Sequence, residues 1–166
     1  MLLRPEQSGD EKPIFAVNAA AFATDAEARL VDMLRGDGDL LFSHVAEENE
    51  KIIGHIALSP MDVTADDRPV KALGLGPVAV TPKRQHDGIG SQLVRAAINW
   101  AKAQDWQLII LLGNPHYYSR FGFSVEDAEP FTSPFAGPYF QALWLDETAQ
   151  KPQSGRAEYA PAFGRL

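Results

Sequence analysis

Apolar residues recur along the first forty positions at the spacing of a helix. Ile14, Val17 and Phe22 follow the polar run Ser8-Gly9-Asp10; Leu30, Val31 and Leu34 follow Thr24-Asp25 and stop at Gly36-Asp37-Gly38. Cap-forming residues ahead of each run and glycine behind the second predict a pair of helices, preceded by a short strand over Met1 to Arg4. From Leu40 the pattern changes. Leu40 to Ala46 and Lys51 to Val63 are rich in branched residues and flank the polar turn Glu47-Glu48-Asn49-Glu50, which predicts a hairpin. After the turn Asp66-Asp67-Arg68-Pro69 comes a third strand, Val70 to Val80, in which Gly74, Gly76 and Pro77 predict a bulge or a bend.

Gly88 to Gln104 carries the strongest helical period. Ile89, Leu93, Ala97, Ile98 and Ala101 share one face, and Ser91, Gln92, Arg95, Asn99 and Lys102 lie elsewhere. Leu108 to Leu112 is continuously apolar and too short for a helix, so it reads as a buried strand. Strand, glycine loop, helix and strand form one unit whose two strands run parallel through a right-handed crossover. Beyond it lie an aromatic segment from Tyr117 to Phe121, a strand near Phe123 to Glu126, and a stretch punctuated by Pro130, Pro134 and Pro138. Residues Pro130 to Tyr139 read either as a lid over an acceptor or as structural cover. A last strand over Phe140 to Leu145 precedes an extended tail anchored by Tyr159 and Phe163. No repeat or linker interrupts residues 1–166, so one domain is expected, with 146–166 a loop-rich extension of it.

Composition narrows what such a domain does. With 45% hydrophobic and 22% charged residues the chain is an ordinary globular one. Its 15 basic against 22 acidic residues give a net charge of -7, so no general attraction to nucleic acid or to an anionic membrane is expected. The absence of cysteine excludes a thiol nucleophile and fits a reducing compartment. Met1-Leu2-Leu3-Arg4-Pro5-Glu6 reaches proline and acid before a signal-peptide core can form, and no apolar run approaches the roughly 20 residues of a membrane span. A soluble, cytoplasmic protein is expected. The four histidines have no H-x-x-x-H or similar spacing, so no metal is expected.

The chemistry concentrates between Val78 and Ser91, where a strand (Val78-Ala79-Val80) leads through Gln85-His86-Asp87-Gly88-Ile89-Gly90 into the helix. Unpaired amides and the positive dipole end at a helix start bind phosphate oxygens, and glycine lets them approach the main chain. Alone, the loop is open to a second reading, a tight turn that uses its glycines for geometry. Two other glycine motifs do not fit. A dinucleotide fingerprint needs glycine where Leu93 stands, and a P-loop needs Gly-Lys-Ser/Thr where Gly90-Ser91-Gln92 stands.

Gln-x-x-Gly-x-Gly between a strand and an amphipathic helix resembles the acetyl-CoA loop of the GNAT superfamily of N-acetyltransferases, matched here by Gln85, Gly88 and Gly90. Tyr118-Ser119-Arg120-Phe121-Gly122-Phe123 resembles the Tyr-x-x-hydrophobic-Gly-Phe segment that follows the next strand in those enzymes. Gly76-Pro77-Val78-Ala79-Val80, Leu112-Gly113-Asn114-Pro115, Tyr117-Tyr118 and Gly155-Arg156-Ala157-Glu158-Tyr159 are most similar to the YhbS-like branch. The likeness covers nearly the whole chain. It implies an α/β (α+β) fold with a mixed central sheet of about six to seven strands, splayed between its two central parallel strands, and helices on both faces.

The resemblance further implies acetyl-CoA as cosubstrate and a primary amine of a small molecule or protein as acceptor, with a homodimer allowed. Val78, Ala79 and Val80 would lie along the pantetheine arm. Backbone N–H groups from Asp87 through Gly88, Ile89 and Gly90 to Ser91 would hold the pyrophosphate, with Gln85 and His86 opening the loop. An amine attacks the thioester directly in such enzymes, without a covalent intermediate. Tyr118 takes the place of their general acid, the alternative being an aromatic that packs the short helix. Relatives carry an asparagine some seven residues before that tyrosine; Asn114 lies only four before it, across Pro115, and is assigned no contact to the coenzyme. For the general base, Glu27, Glu47, His55, Asp62 and His116 are candidates and Glu27 is chosen, against the alternative that it complements the helix dipole or that water relays the proton. Two other classes stay open: a coenzyme A-binding sensor or scaffold without catalysis, and an enzyme with a different acyl donor.

Overall fold

The structure, a computed structural model, describes residues 1–166. In chain order the elements are β1 (Leu2–Pro5), α1 (Glu11–Ala21), α2 (Ala26–Asp37), β2 (Phe42–Glu48), β3 (Lys51–Ala65), β4 (Arg68–Val80), α3 (Ile89–Ala103), β5 (Leu108–Leu112), α4 (Pro115–Tyr118), α5 (Val125–Ala128), β6 (Phe131–Thr132), β7 (Phe140–Trp144) and β8 (Gly155–Glu158). Three 3₁₀ turns, Pro82–Arg84, Ser119–Phe121 and Pro161–Arg165, punctuate them. Eight strands form one open mixed sheet in the order β1-β2-β3-β4-β5-β7, with β8 pairing to β3 and β6. No helix is long and apolar enough to cross a membrane. Two compact units make up the chain.

The first unit comprises Met1–Ser59, Gly76–Ala97 and Pro161–Leu166. Strand β2 pairs antiparallel with β1 and with β3, and the β2–β3 turn places Asn49 and Glu50 at φ 52° and 63°, the left-handed conformation a two-residue hairpin turn demands. The helix pair forms as the pattern predicts, but its caps work differently. Asp10 and Asp25 occupy the N-cap positions without capping. Asp10 instead binds Arg4 at 2.7 Å and Asp25 binds Arg29 at 3.0 Å. Ile14, Val31 and Val45 form a core between helices and strands. At Gly54 a Cβ would come within 3.1 Å of Ile89 and Leu93, so the glycine sets how closely α3 lies on β3.

The second unit comprises Pro60–Leu75 and Ile98–Ala160. Parallel pairing of β4 with β5 covers Ala72↔Leu108 to Gly74↔Ile110 and ends there. Two residues on, Gly76 takes φ 141° and is followed by Pro77, which has no N–H to offer a ladder. The disruption expected from these residues is thus a backbone feature at Gly76. On its other edge β5 pairs antiparallel with β7, Leu108↔Trp144 to Leu112↔Phe140, and Leu108, Ile110, Phe131, Phe140 and Ala142 fill the core.

Two expectations are corrected here. Phe123 to Glu126 is no strand: Ser124 makes a single bridge to Ala142, and its hydroxyl then accepts the Asp127 N–H at 3.1 Å to start α5. A Ser-x-x-Asp cap outcompetes the branched pattern. The tail is not simply extended chain, because β8 pairs with Asp62–Ala65 of β3 and with β6. These additions bring the sheet to eight strands, where about six to seven were expected.

Candidate active site

Strand β4 leaves the first unit's sheet at Thr81, whose N–H donates to Ile53 O at 2.8 Å. One 3₁₀ turn later the chain reaches Gln85, whose Nε2 donates to Val80 O at 3.1 Å, so this side chain closes the strand end. His86 and Gly88 have φ of 70° and 85°. Those left-handed residues bring the chain into α3, where Gln92 N–H bonds Gly88 O at 3.1 Å. The amides ahead of that bond belong to a helix start, which has no intrahelical partners for them. Gln85 through Gly88 are exposed, whereas Ile89 and Leu93 are buried.

The charges beside the loop are tied to one another. Arg84 is hydrogen-bonded to Glu48 and, at 3.0 Å, to Asp87 Oδ2. The acidic Asp87 therefore does not stand as an uncompensated negative charge in front of the amides. Along β4, Val78 and Val80 are half-buried and Ala79 is buried, the alternation of a strand with one open face.

In the second unit β5 ends at Leu112, and Asn114 caps α4 by accepting the His116 N–H on its side chain at 2.9 Å, with Pro115 in the first turn. This cap is the role of Asn114. The Asn-Pro pair ahead of Tyr117-Tyr118 was its signal. Tyr118 packs edge-on to Tyr117 and Phe123, with ring centroids 4.9 and 6.1 Å away. Its ring lies so close to Gly113 that a Cβ there would run into it. Burial pushes the Tyr118 phenol up to about 12, with Tyr117 adding to the shift, so the hydroxyl holds its proton across the physiological range. Neighbouring Tyr117 instead carries Arg120 over its ring, 4.5 Å from the centroid.

The candidate bases separate clearly. His55 is fully buried: Asn18 Nδ2 donates to its Nδ1 at 3.1 Å, and its Nε2 donates to Ser43 Oγ at 2.9 Å. Ser43 in turn donates to Glu6 at 3.0 Å, which fixes this tautomer. Burial, with Arg35 and His44 adding, lowers His55 to about 3. It is a neutral structural relay. Glu47 binds Arg4 at 3.2 Å, Asp62 binds Arg156 at 3.4 Å, and His116 is exposed. Glu27, in the first turn of α2, differs from all of them: its Oε2 is buried and has no hydrogen-bond partner.

Of the expected site residues only Glu47, one of the candidate bases, lines the cavity of about 520 Å³ that opens in the first unit between α1 and the β2–β3 turn, where Arg4, Asp10, Val17, Glu47, Lys51 and Thr81 meet. No group of three or more His, Asp or Glu is gathered to hold a metal ion.

Comparison with known proteins shows the family to which a chain with these features belongs. The family model for the acetyltransferase (GNAT) domain matches residues 3–125, and the chain belongs to that family. It is 34% identical to the N-acetyltransferase YhbS of Escherichia coli (strain K12), covering both chains completely. The crystal structure of E. coli YhbS in complex with CoA superposes with a TM-score of 0.90 at 33% identity, covering 99% of this chain and 92% of that one. A GNAT acetyltransferase from Brucella melitensis in complex with acetyl-CoA gives a TM-score of 0.80 at 34% identity, covering 98% and 97%.

Proposed function

We propose that the chain transfers the acetyl group of acetyl-CoA to a primary amine of a small molecule or a protein, by direct attack of the amine on the thioester in a ternary complex. The observation that carries this reading is the start of α3. Gln85 is turned back to Val80 and Asp87 is paired with Arg84, so neither of these side chains is spent on the amides of the helix start. Relatives matched over 92% and 97% of their chains were crystallised with CoA and acetyl-CoA, which supports the same ligand here.

In this reading the amides from Asp87 to Ser91 bind the pyrophosphate and the open edge of Val78–Val80 takes the pantetheine arm. The Tyr118 hydroxyl protonates the departing thiolate, and a phenol shifted upward arrives at each turnover protonated. Glu27 takes the proton released by the attacking ammonium. In support, its Oε2 is not engaged in any hydrogen bond. The test is thiol release from acetyl-CoA over a panel of primary amines, run beside calorimetry with CoA. Binding without amine-dependent thiol release overturns transfer to amines, and no binding overturns the reading altogether.

A further inference from the structure

Gln141 is fully buried on β7, directly opposite Leu111 of β5. Its Nε2 donates to Gly113 O at 2.8 Å and to Tyr139 O at 3.4 Å, while the Gly113 N–H donates to the same Tyr139 O at 3.0 Å. The amide therefore ties the residue just after β5 to the residue just before β7, one step beyond the last strand pair, Leu112↔Phe140. Its orientation is unambiguous, because the flipped amide would set Oε1 against two carbonyl oxygens. Oε1 itself is buried and accepts no hydrogen bond. An unmet buried acceptor costs stability. A methionine would fill the same space without that cost.

What the amide holds is Gly113. The Tyr118 ring lies against the bare Cα of this residue, with Phe121 and Phe123 at 6.2 and 6.1 Å on other sides. The same short segment carries Asn114, whose O accepts the Tyr118 N–H at 3.0 Å. We infer that Gln141 is a positioning residue for Tyr118: by holding the Gly113 carbonyl it fixes the wall against which the ring rests, and so where the hydroxyl emerges from its apolar seat. The mechanistic weight of this inference rests on Tyr118 being the general acid. Groups that touch the reacting atoms depend on such supporting shells for their geometry.

Gln141→Met, with Gln141→Leu as a second apolar variant, tests it. Folding is checked by thermal unfolding and by CoA affinity. The expected result is a kcat lower by about tenfold at an acetyl-CoA KM within about twofold of the parent, the signature of a misplaced acid rather than a lost binding contact. Gln141→Asn, which keeps a donor one methylene short, should fall between. Ultraviolet difference titration against the matching Tyr118→Phe protein reads the phenol directly. Burial pushes the parent's Tyr118 up to about 12; in Gln141→Met its ionisation should move to lower pH as the seat loosens. Parent-like kcat together with a parent-like Tyr118 titration overturns the inference. If Tyr118→Phe alone keeps full kcat, the acid role fails, and the titration then decides the positioning role by itself.

Discussion

The two chain segments that bear the proposed chemistry solve opposite problems. Between Thr81 and Ser91 the main chain does the work: side chains are turned aside into internal bonds, Gln85 to Val80 and Asp87 to Arg84, and the segment is largely exposed. Between Gly113 and Phe123 a single side chain does the work, and the main chain exists to seat it. Asn114 starts the helical turn, bare Gly113 makes room, and aromatic rings surround Tyr118. The contrast follows from what each must recognise. A diffuse dianion is held by several equivalent donors and tolerates small shifts, whereas one proton delivered to one sulfur requires one atom in one place.

That contrast orders the expected effects. Removing the phenol should cost most: Tyr118→Phe keeps the ring packing and is expected to lower kcat about a hundredfold, the scale of general-acid catalysis, with CoA affinity unchanged by calorimetry. The parent's rate should show no alkaline fall below pH 11 that is due to Tyr118, because its proton is lost only near 12. A descending limb centred near 10 that disappears in Tyr118→Phe would show the seat to be wetter than its burial implies. Next comes Gly113→Ala, whose methyl group would run into the Tyr118 ring. The ring must move, and kcat is expected to fall about tenfold or more while CoA binding persists. Equal losses of kcat and CoA affinity in either variant would erase the distinction between the two segments.

The first segment was the more legible in sequence, and for a physical reason. Its elements are local: glycines, a 3.6-residue apolar period and a preceding strand lie within thirty positions, and all took the expected form. Tyr118 could be singled out by its spacing to Gly122-Phe123, but its seat could not, since Gln141 reaches Gly113 across 28 positions. β8 escaped notice likewise, because its partners on β3 are some ninety residues away. Asp10 and Asp25 have the local form of caps, yet a nearby arginine offers each a charge-assisted bond in place of the amide. His55 stood as one candidate base among five until its burial and its two partners removed it.

Smaller effects are expected in the main-chain segment. Gly88→Ala meets no neighbouring atom, so its cost is the backbone's alone: φ 85° disfavours a β-carbon by about 1 kcal/mol, or about fivefold in the Kd for CoA, with kcat at saturating acetyl-CoA nearly unchanged. The smallest change should come from Asp87→Asn, and its direction is the informative part. The pair with Arg84 is exposed, so losing it barely affects folding. The variant removes a negative charge beside the proposed pyrophosphate site and leaves Arg84 with Glu48 as its remaining carboxylate partner. CoA should therefore bind about twofold tighter at low salt, and the gain should shrink as ionic strength rises. Weaker binding in Asp87→Asn would mean that the carboxylate holds the loop in shape through Arg84, and that this segment too depends on one placed side chain.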